Sequence, residues 1–503
     1  MAKNYYISSF FWSTLQKILS AILGFVSVPL LLGYYGKAEY GILAIATACN
    51  GYMHLLDLGM NIGAIKFYSQ WRREGKNELI NHVARTNITF YLIIACINIL
   101  GLLFLALFGE HFFSVTHDQF VQLRWCLFTL CIFSPLAWVT TAFNQLLVSD
   151  KRIDYTMKVQ CVQTLFKAAL IFIAIYGGMS LSVYFFFLTL ILSLLLFPYA
   201  YKCLALNLIN SIKPAKYWSE FRVVLTFSLS IFALSLFQVT ATQSRPIILS
   251  IFSNNGAEVV ADFRILEVIP SLIIMIGGQF AAIFLPQASS LVASKDQIGI
   301  EKFAYKWTAL TSILSNILCF PFVLCASEVL SAYVGSEYKY LSNWLVLWCI
   351  TVLSYIHTTP GNSLVLAYGK SKVMVVVTAI SCIFSLVLNA FLCQFFNVGS
   401  AIIAYFIHVV ITTSLYYVYY YNRLMGLSRK KMFFCFATPT FYAILSSLIV
   451  YYLPLHMVYV DNNRLDYILI CVIKSLVWLI LYVIVLLSFR VIDIKIIKSL
   501  IKK

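Results

Sequence analysis

Charge is scarce in this sequence. Only 11% of its 503 residues are Asp, Glu, Lys or Arg, against roughly 25% in soluble domains. With 61% hydrophobic residues, a water-surrounded globular fold is excluded. Metal and redox motifs are missing too. The 13 Cys include no CxxC pair and no Cys/His cluster at metal spacing. Most, such as Cys49, Cys96, Cys319 and Cys382, sit in apolar runs and read as small hydrophobes between helices. No GxxxxGK[ST] loop occurs, so the chain is not expected to hydrolyse ATP. No cofactor is implied. Long polar segments are lacking as well. The longest outer loops (109–120, 327–340 and 454–466) hold about a dozen residues each, which excludes an extramembrane catalytic domain. A cleavable leader is not expected either: the first apolar run, Ser8 to Leu32, is too long for a signal core and has no small-residue cleavage site.

What is present are apolar runs. A bilayer core takes roughly 20 apolar residues per helix. About fourteen runs qualify: 8–33, 40–64, 86–108, 121–146, 157–177, 181–201, 223–251, 259–289, 304–326, 341–366, 373–394, 399–421, 433–453 and 467–489. The 40 Phe, 32 Tyr and 9 Trp suit a lipid-facing surface with aromatic belts at the headgroups. The expected fold is an all-α polytopic membrane protein.

The net charge of +17 would fit a nucleic-acid binder, but its distribution does not. The basic residues fall in alternate loops: Lys66, Arg72, Arg73, Lys76 and Arg85; Lys151, Arg152 and Lys158; Lys202, Lys213, Lys216 and Arg222; Lys295, Lys302 and Lys306; Lys370 and Lys372; Arg423, Arg429, Lys430 and Lys431. The termini add Lys3, Arg490, Lys495, Lys498, Lys502 and Lys503. The opposite loops hold Lys37, Lys339 and Arg464. Such asymmetry marks the basic side as cytoplasmic, so both termini are expected there and no nucleic-acid partner is expected.

Two similar turns, Gly36-Lys37-Ala38-Glu39-Tyr40 and Asn255-Gly256-Ala257-Glu258-Val259, each sit between two long helices. They suggest parallel repeats about an axis normal to the membrane, one of the transporter architectures. The expected organisation is a six-helix lobe over 1–202, a cytoplasmic linker over 203–222, a second six-helix lobe over 223–422, and two extra helices with a basic tail over 423–503.

Polar residues inside the runs mark the candidate site. A charge at mid-bilayer costs roughly 2.5–3.5 kcal/mol on the insertion scale. Thr47, Asn50, His54, Asp57 and Asn61 are spaced by three and four, one helical face. They fit either a proton or cation site or a polar seam against a neighbouring helix. Ser13, Lys17, Ser20, Gly24 and Ser27 share a face of the first run, where Lys17 either lines a cavity or snorkels. Gln160, Gln163 and Lys167 form a third stripe. Ser235, Gln238, Thr242 and Arg245 form a fourth, and Arg245 precedes Pro246, a helix-kinking residue; a guanidinium there can grip phosphate. Arg264 and Glu267 either serve function or neutralise each other. Arg124 and Lys474 lie in the outer halves of their runs, where both could reach the outer headgroups. Six intramembrane cations face three clear anions, Asp57, Asp262 and Glu267, a balance that favours a negative substrate.

Gly36-Lys37-Ala38-Glu39-Tyr40-Gly41, then Leu55-Leu56-Asp57-Leu58-Gly59-Met60-Asn61-Ile62-Gly63-Ala64-Ile65-Lys66, resembles the bacterial polysaccharide and O-antigen flippases of the multidrug/oligosaccharidyl-lipid/polysaccharide exporter superfamily. The sequence departs from the family pattern around Met60–Gly63, and Lys66 stands where Arg is common. The resemblance implies two six-helix lobes, as in multidrug (MATE) exporters, plus two C-terminal helices in the bacterial inner membrane. It implies a flippase, not an enzyme. The substrate would be an undecaprenyl-diphosphate-linked oligosaccharide, moved by alternating access from the cytoplasmic to the periplasmic leaflet. Lys17, Lys167, Arg245 and Arg264 would meet the diphosphate. Asn50, His54, Asp57, Asn61 and Glu267 would serve a coupling H+ or Na+ or a polar seam, with no metal cofactor. Membrane lipids, a polysaccharide polymerase and a chain-length regulator are the implied partners. A multidrug or cation antiporter, and a membrane glycosyltransferase or polymerase, are the competing readings. The first wants acidic cavity residues and the second a large outer loop.

Overall fold

The computed structural model of the chain describes the backbone of residues 2–369, 371–415, 420–453 and 464–489. Among the described residues the regular structure is helical and no strand occurs, as lipid demands of a backbone that must satisfy its own hydrogen bonds. In chain order the helices are α1 (Ala2–Met53), α2 (Met60–Arg73), α3 (Asn77–Phe108), α4 (His117–Ser149), α5 (Ile153–Tyr176), α6 (Leu181–Ser193), α7 (Leu196–Ala205), α8 (Trp218–Phe252) and α9 (Gly256–Ala293). They continue with α10 (Gln297–Leu324), α11 (Ala326–Tyr333), α12 (Ser342–Ile356), α13 (Thr359–Ala367), α14 (Ser371–Phe396), α15 (Val398–Leu415), α16 (Tyr421–Met425), α17 (Arg429–Tyr452) and α18 (Arg464–Ser488).

Ten stretches among the described residues are long and apolar enough to cross a membrane, and Val398–Thr413 is a shorter apolar helix. Runs and helices do not match one to one. The first two runs share α1, interrupted at Gly36 (φ 82°, ψ 170°), a backbone position that suits glycine. The second run breaks again after Met53, where a 3₁₀ turn (His54–Asp57) leads into left-handed Leu58 (φ 52°) and Gly59 (φ 74°). The sixth run divides at Leu194–Leu195, four residues before Pro198, which cannot donate to Leu194. The tenth divides at His357–Thr358, with Pro360 in the first turn of α13.

The chain forms two compact units: 1–263 with 393–397, and 264–392 with 398–503. In the first unit α3 lies along α4, α1 along α5, and α2 against α8. Met60, Tyr68, Trp71, Tyr91, Trp138, Tyr199 and Phe221 belong to its buried core. Lipid is as apolar as these side chains, so close fit rather than water exclusion holds such helices together. Gly63 shows the fit: a Cβ there would lie 2.0 Å from Ser228 Oγ. The connector after α7 is strapped to α3. Arg85 Nε donates to Lys213 O (2.9 Å), Thr89 Oγ1 donates to Ala215 O (2.5 Å), and Tyr217 N donates to Thr86 Oγ1 (3.0 Å). The His82 ring stacks on Tyr217 at 3.9 Å.

In the second unit α10 packs against α12, α17 and α18. Trp478 stacks between Phe320 and Tyr482, with ring centroids 5.6 and 5.0 Å away. Trp478 Nε1 donates to Ala443 O and Tyr482 Oη to Pro439 O. The last two helices are thus packed into this unit. Large apolar side chains such as Leu100, Ile132, Phe391, Phe395 and Ile480 are exposed, as lipid-facing residues are.

Candidate functional site

Asp57 ends a chain of buried polar groups in the first unit. Asn87 Nδ2 donates to Gln145 Oε1 (2.7 Å), Gln145 Nε2 to Tyr91 Oη (2.6 Å), and Tyr91 Oη to Asp57 Oδ1 (2.6 Å). Asn87 also reaches Tyr68 Oη at 3.4 Å. Every donor in this chain points toward the carboxylate, so the bonds polarise one another. The other oxygen, Oδ2, accepts from Asn61 N at 3.1 Å, which ties Asp57 to the first turn of α2. The expected single helical face from Thr47 to Asn61 is therefore not continuous, because the left-handed residues between Asp57 and Met60 re-aim the chain. Asn61 contributes its backbone to Asp57, and its side chain is exposed. The side chains of His54, Ser235, Gln238 and Thr242 lie outside the described residues, as do the tail 490–503 and the loop segment 454–463.

Toward the other end of the same run, Thr47 and Asn50 line a cavity of about 80 Å³ with Asn98, Ser134, Trp138 and Thr189. That is several times the space one water needs. Asn98 Nδ2 donates to Ser134 Oγ at 3.0 Å, and its buried Oδ1 has no hydrogen-bond partner.

The two similar turns meet. Lys37 Nζ lies 3.0 Å from Asp262 Oδ1 and 3.8 Å from Glu258 Oε2. A Cβ on Gly41 would fall 1.8 Å from Ala257 O. Ser114 joins them: its N donates to Ser250 O (2.7 Å), its O accepts from Gly256 N (2.7 Å), and its Oγ donates to Ile251 O (2.8 Å).

The candidate cations differ in surroundings. Lys17 is exposed on α1, near a Gln16-to-Ser20 hydrogen bond. Lys167 is half-buried on α5. The two glutamines of its stripe serve packing: Gln163 Nε2 donates to Ile191 O and Leu192 O, and Gln160 Nε2 donates to Tyr199 Oη. Arg245 is buried on α8, at 6% exposure. In the second unit, Arg264 Nη1 donates to Glu267 Oε2 at 2.5 Å, the mutual neutralisation that their spacing allows. Lys474 donates to Glu328 at 2.5 Å, and Arg124 lies 3.7 Å from Glu110 and donates to Ala106 O. Neither cation is left to the headgroups alone. The excess of positive charge inside the apolar runs is thus smaller than a count by run suggests, because carboxylates at helix ends reach in. Sequence reading missed Asn87, Tyr91, Asn98 and Gln145. Their one visible signal was a polar side chain inside an apolar run.

Comparison with known proteins bears on this arrangement. A family model described as polysaccharide biosynthesis protein matches residues 7–284. No curated protein matches the chain by sequence. Among solved structures, a lipid II flippase, MurJ, in an inward closed conformation superposes with a TM-score of 0.69 at 13% identity, over 97% of this chain and 99% of that one. An inward-facing multidrug resistance MATE transporter of the MOP superfamily gives 0.67 at 13% identity, over 82% and 96%. A Vibrio cholerae MATE transporter gives 0.55 at 13% identity, over 85% and 98%. At such identity the likeness is one of fold.

Proposed function

This chain belongs to the polysaccharide biosynthesis protein family, and we propose that it is a flippase for a polyprenyl-diphosphate-linked oligosaccharide, the O-antigen type of repeat unit, in the bacterial inner membrane. The observation that carries the reading is the family match over 7–284, on a chain of membrane-length helices with the fold of lipid-linked-glycan and multidrug transporters. Lys17 and Lys167 carry the roles of diphosphate contacts, because both expose part of their side chains. Arg245 and Arg264 join them when the cycle frees their guanidiniums. The glycan is bulky and polar and travels in a wet cavity, and the polyprenyl tail stays in lipid. Translocation runs by alternating access, with a substrate that binds the inward state better than the outward one.

Asp57 is the stronger candidate for ion coupling. It terminates a polarised hydrogen-bond chain, whereas Glu267 is held by Arg264. A proton on Asp57 cancels the charge that orients Tyr91 and Gln145, which gives a titration a structural consequence. A multidrug antiporter is the second reading, favoured by the MATE superpositions and disfavoured by the lysines.

Complementation tests the proposal. The host gene is deleted, and wild type or Lys17→Gln, Lys167→Gln and Arg245→Gln variants are supplied at matched membrane levels. Expected are loss of surface polysaccharide in the deletion, accumulation of lipid-linked repeat units, and failure of the variants to rescue. Unchanged surface polysaccharide in the deletion, with raised drug sensitivity, would favour the antiporter.

A further inference from the structure

A groove of about 450 Å³ lies between α10 and α17 in the second unit. Tyr305 and Ala309, one turn apart, form its α10 wall, and Lys431, Phe434, Thr438 and Pro439 form the other. Positions 431, 434 and 438 are spaced by three and four, so they share one helical face. Between the aromatic walls, Ala309 leaves space that a larger side chain would fill. Ser428 N donates to Tyr305 Oη at 2.9 Å, which fixes that ring. Lys431 Nζ lies 5.9 Å from the ring centre, so its ammonium stands at one end of the groove. By the loop-charge pattern, this end lies at the cytoplasmic surface. Lys302, Lys306, Arg429, Lys430 and Lys431 are all exposed around it. The only carboxylate within 297–309 and 429–439 is Glu301. From Lys431 to Pro439, α17 rises about 12 Å, close to one leaflet of a hydrocarbon core roughly 30 Å thick.

We propose that this groove is a binding site for an anionic phospholipid of the cytoplasmic leaflet. One acyl chain lies along Ala309, Phe434 and Thr438 down to Pro439. The phosphate meets Lys431 and the basic side chains beside it, as anionic headgroups do in basic pockets between membrane helices. Charge and depth choose this occupant. A zwitterionic headgroup brings its own ammonium among five cations, whereas an anionic one brings none. The groove is one leaflet deep, which suits an ordinary acyl chain, and a polyprenyl chain overruns it. Below Lys431 the walls offer a glycan little more than the Thr438 hydroxyl. The inference uses the sidedness of the chain and is independent of what the chain transports.

The test uses the purified full chain in phosphatidylcholine bilayers that carry a minor fraction of a phospholipid with a photoactivatable diazirine in its acyl chain. The probe's headgroup is either phosphatidylglycerol or phosphatidylcholine, and peptide mass spectrometry maps the crosslinks. The phosphatidylglycerol probe is expected to label the peptides that hold 305–309 and 431–439 at least about five-fold more than the phosphatidylcholine probe, the effect of one basic residue near an anionic lipid. Lys431→Gln should remove most of that preference and leave phosphatidylcholine labelling unchanged, with folding checked by the thermal midpoint. Ala309→Leu, which fills the groove, should lower labelling by both probes. Equal labelling of wild type by the two probes overturns the proposal, a comparison that does not depend on a variant folding. So does a preference that survives in full in folded Lys431→Gln. Displacement by polyprenyl phosphate at a lower mole fraction than by unlabelled phosphatidylglycerol overturns the phospholipid assignment. None of these readouts involves glycan translocation, so failure here and failure of the flippase reading are distinct results.

Discussion

Tyr91 accepts from Gln145 and donates to Asp57, both at 2.6 Å, so one hydroxyl satisfies two neighbours. Tyr91→Phe strands a carboxylate oxygen and an amide donor together. We expect a loss of about 1–3 kcal/mol, read as a lower thermal midpoint of the detergent-solubilised protein. Asp57→Asn keeps an acceptor for Tyr91 and removes the charge. It should be milder in stability and abolish the response to an imposed proton gradient in proteoliposomes. Lys474→Ala leaves Glu328, 14% exposed, without its partner. The expected cost is about 3–5 kcal/mol by the same midpoint assay. Asp57 and Lys474 were legible in the sequence because charge is rare in an apolar run. Their partners were not. An Asn or Tyr in such a run reads alike whether it faces lipid or a buried carboxylate, and only the fold brings Asn87, Tyr91 and Gln145 together.

At the scale of helices, composition and loop charge located the apolar runs, and the described helices lie on them. The breaks escaped notice, because run length is blind to backbone conformation. Gly36, Leu58–Gly59 and the residues before Pro198 and Pro360 each end a helix that hydropathy continues. The turns at 36–40 and 255–259 are in contact, with Lys37 beside Glu258 and the adjoining Gly41 against Ala257. Gly41→Ala would place its Cβ 1.8 Å from the Ala257 carbonyl oxygen, so α1 and α9 would have to separate. Its cost should exceed the ~1–3 kcal/mol usual for overpacking and appear as a loss of folded, monodisperse protein. Charge exchange tests the contact beside it. Lys37→Glu and Asp262→Lys should each lower the thermal midpoint, and the double variant should recover part of the loss, a coupling that a double-mutant cycle measures.

For the whole molecule, the loop-charge asymmetry predicts that reporters fused to either end report a cytoplasmic location. An impermeant label should accordingly reach a Cys placed at exposed Tyr340, but not one at Lys216, in intact spheroplasts. The connector that carries Lys216 has a consequence of its own. Three hydrogen bonds and a ring stack hold residues 213–217 against α3. Peptide continuity is thus the least of what keeps this segment in place. Residues 1–216 and 217–503, made as two separate polypeptides, should find each other in the membrane. The segment at which a reader of the sequence would first cut the gene would then be a seam along which the protein can be built in two pieces.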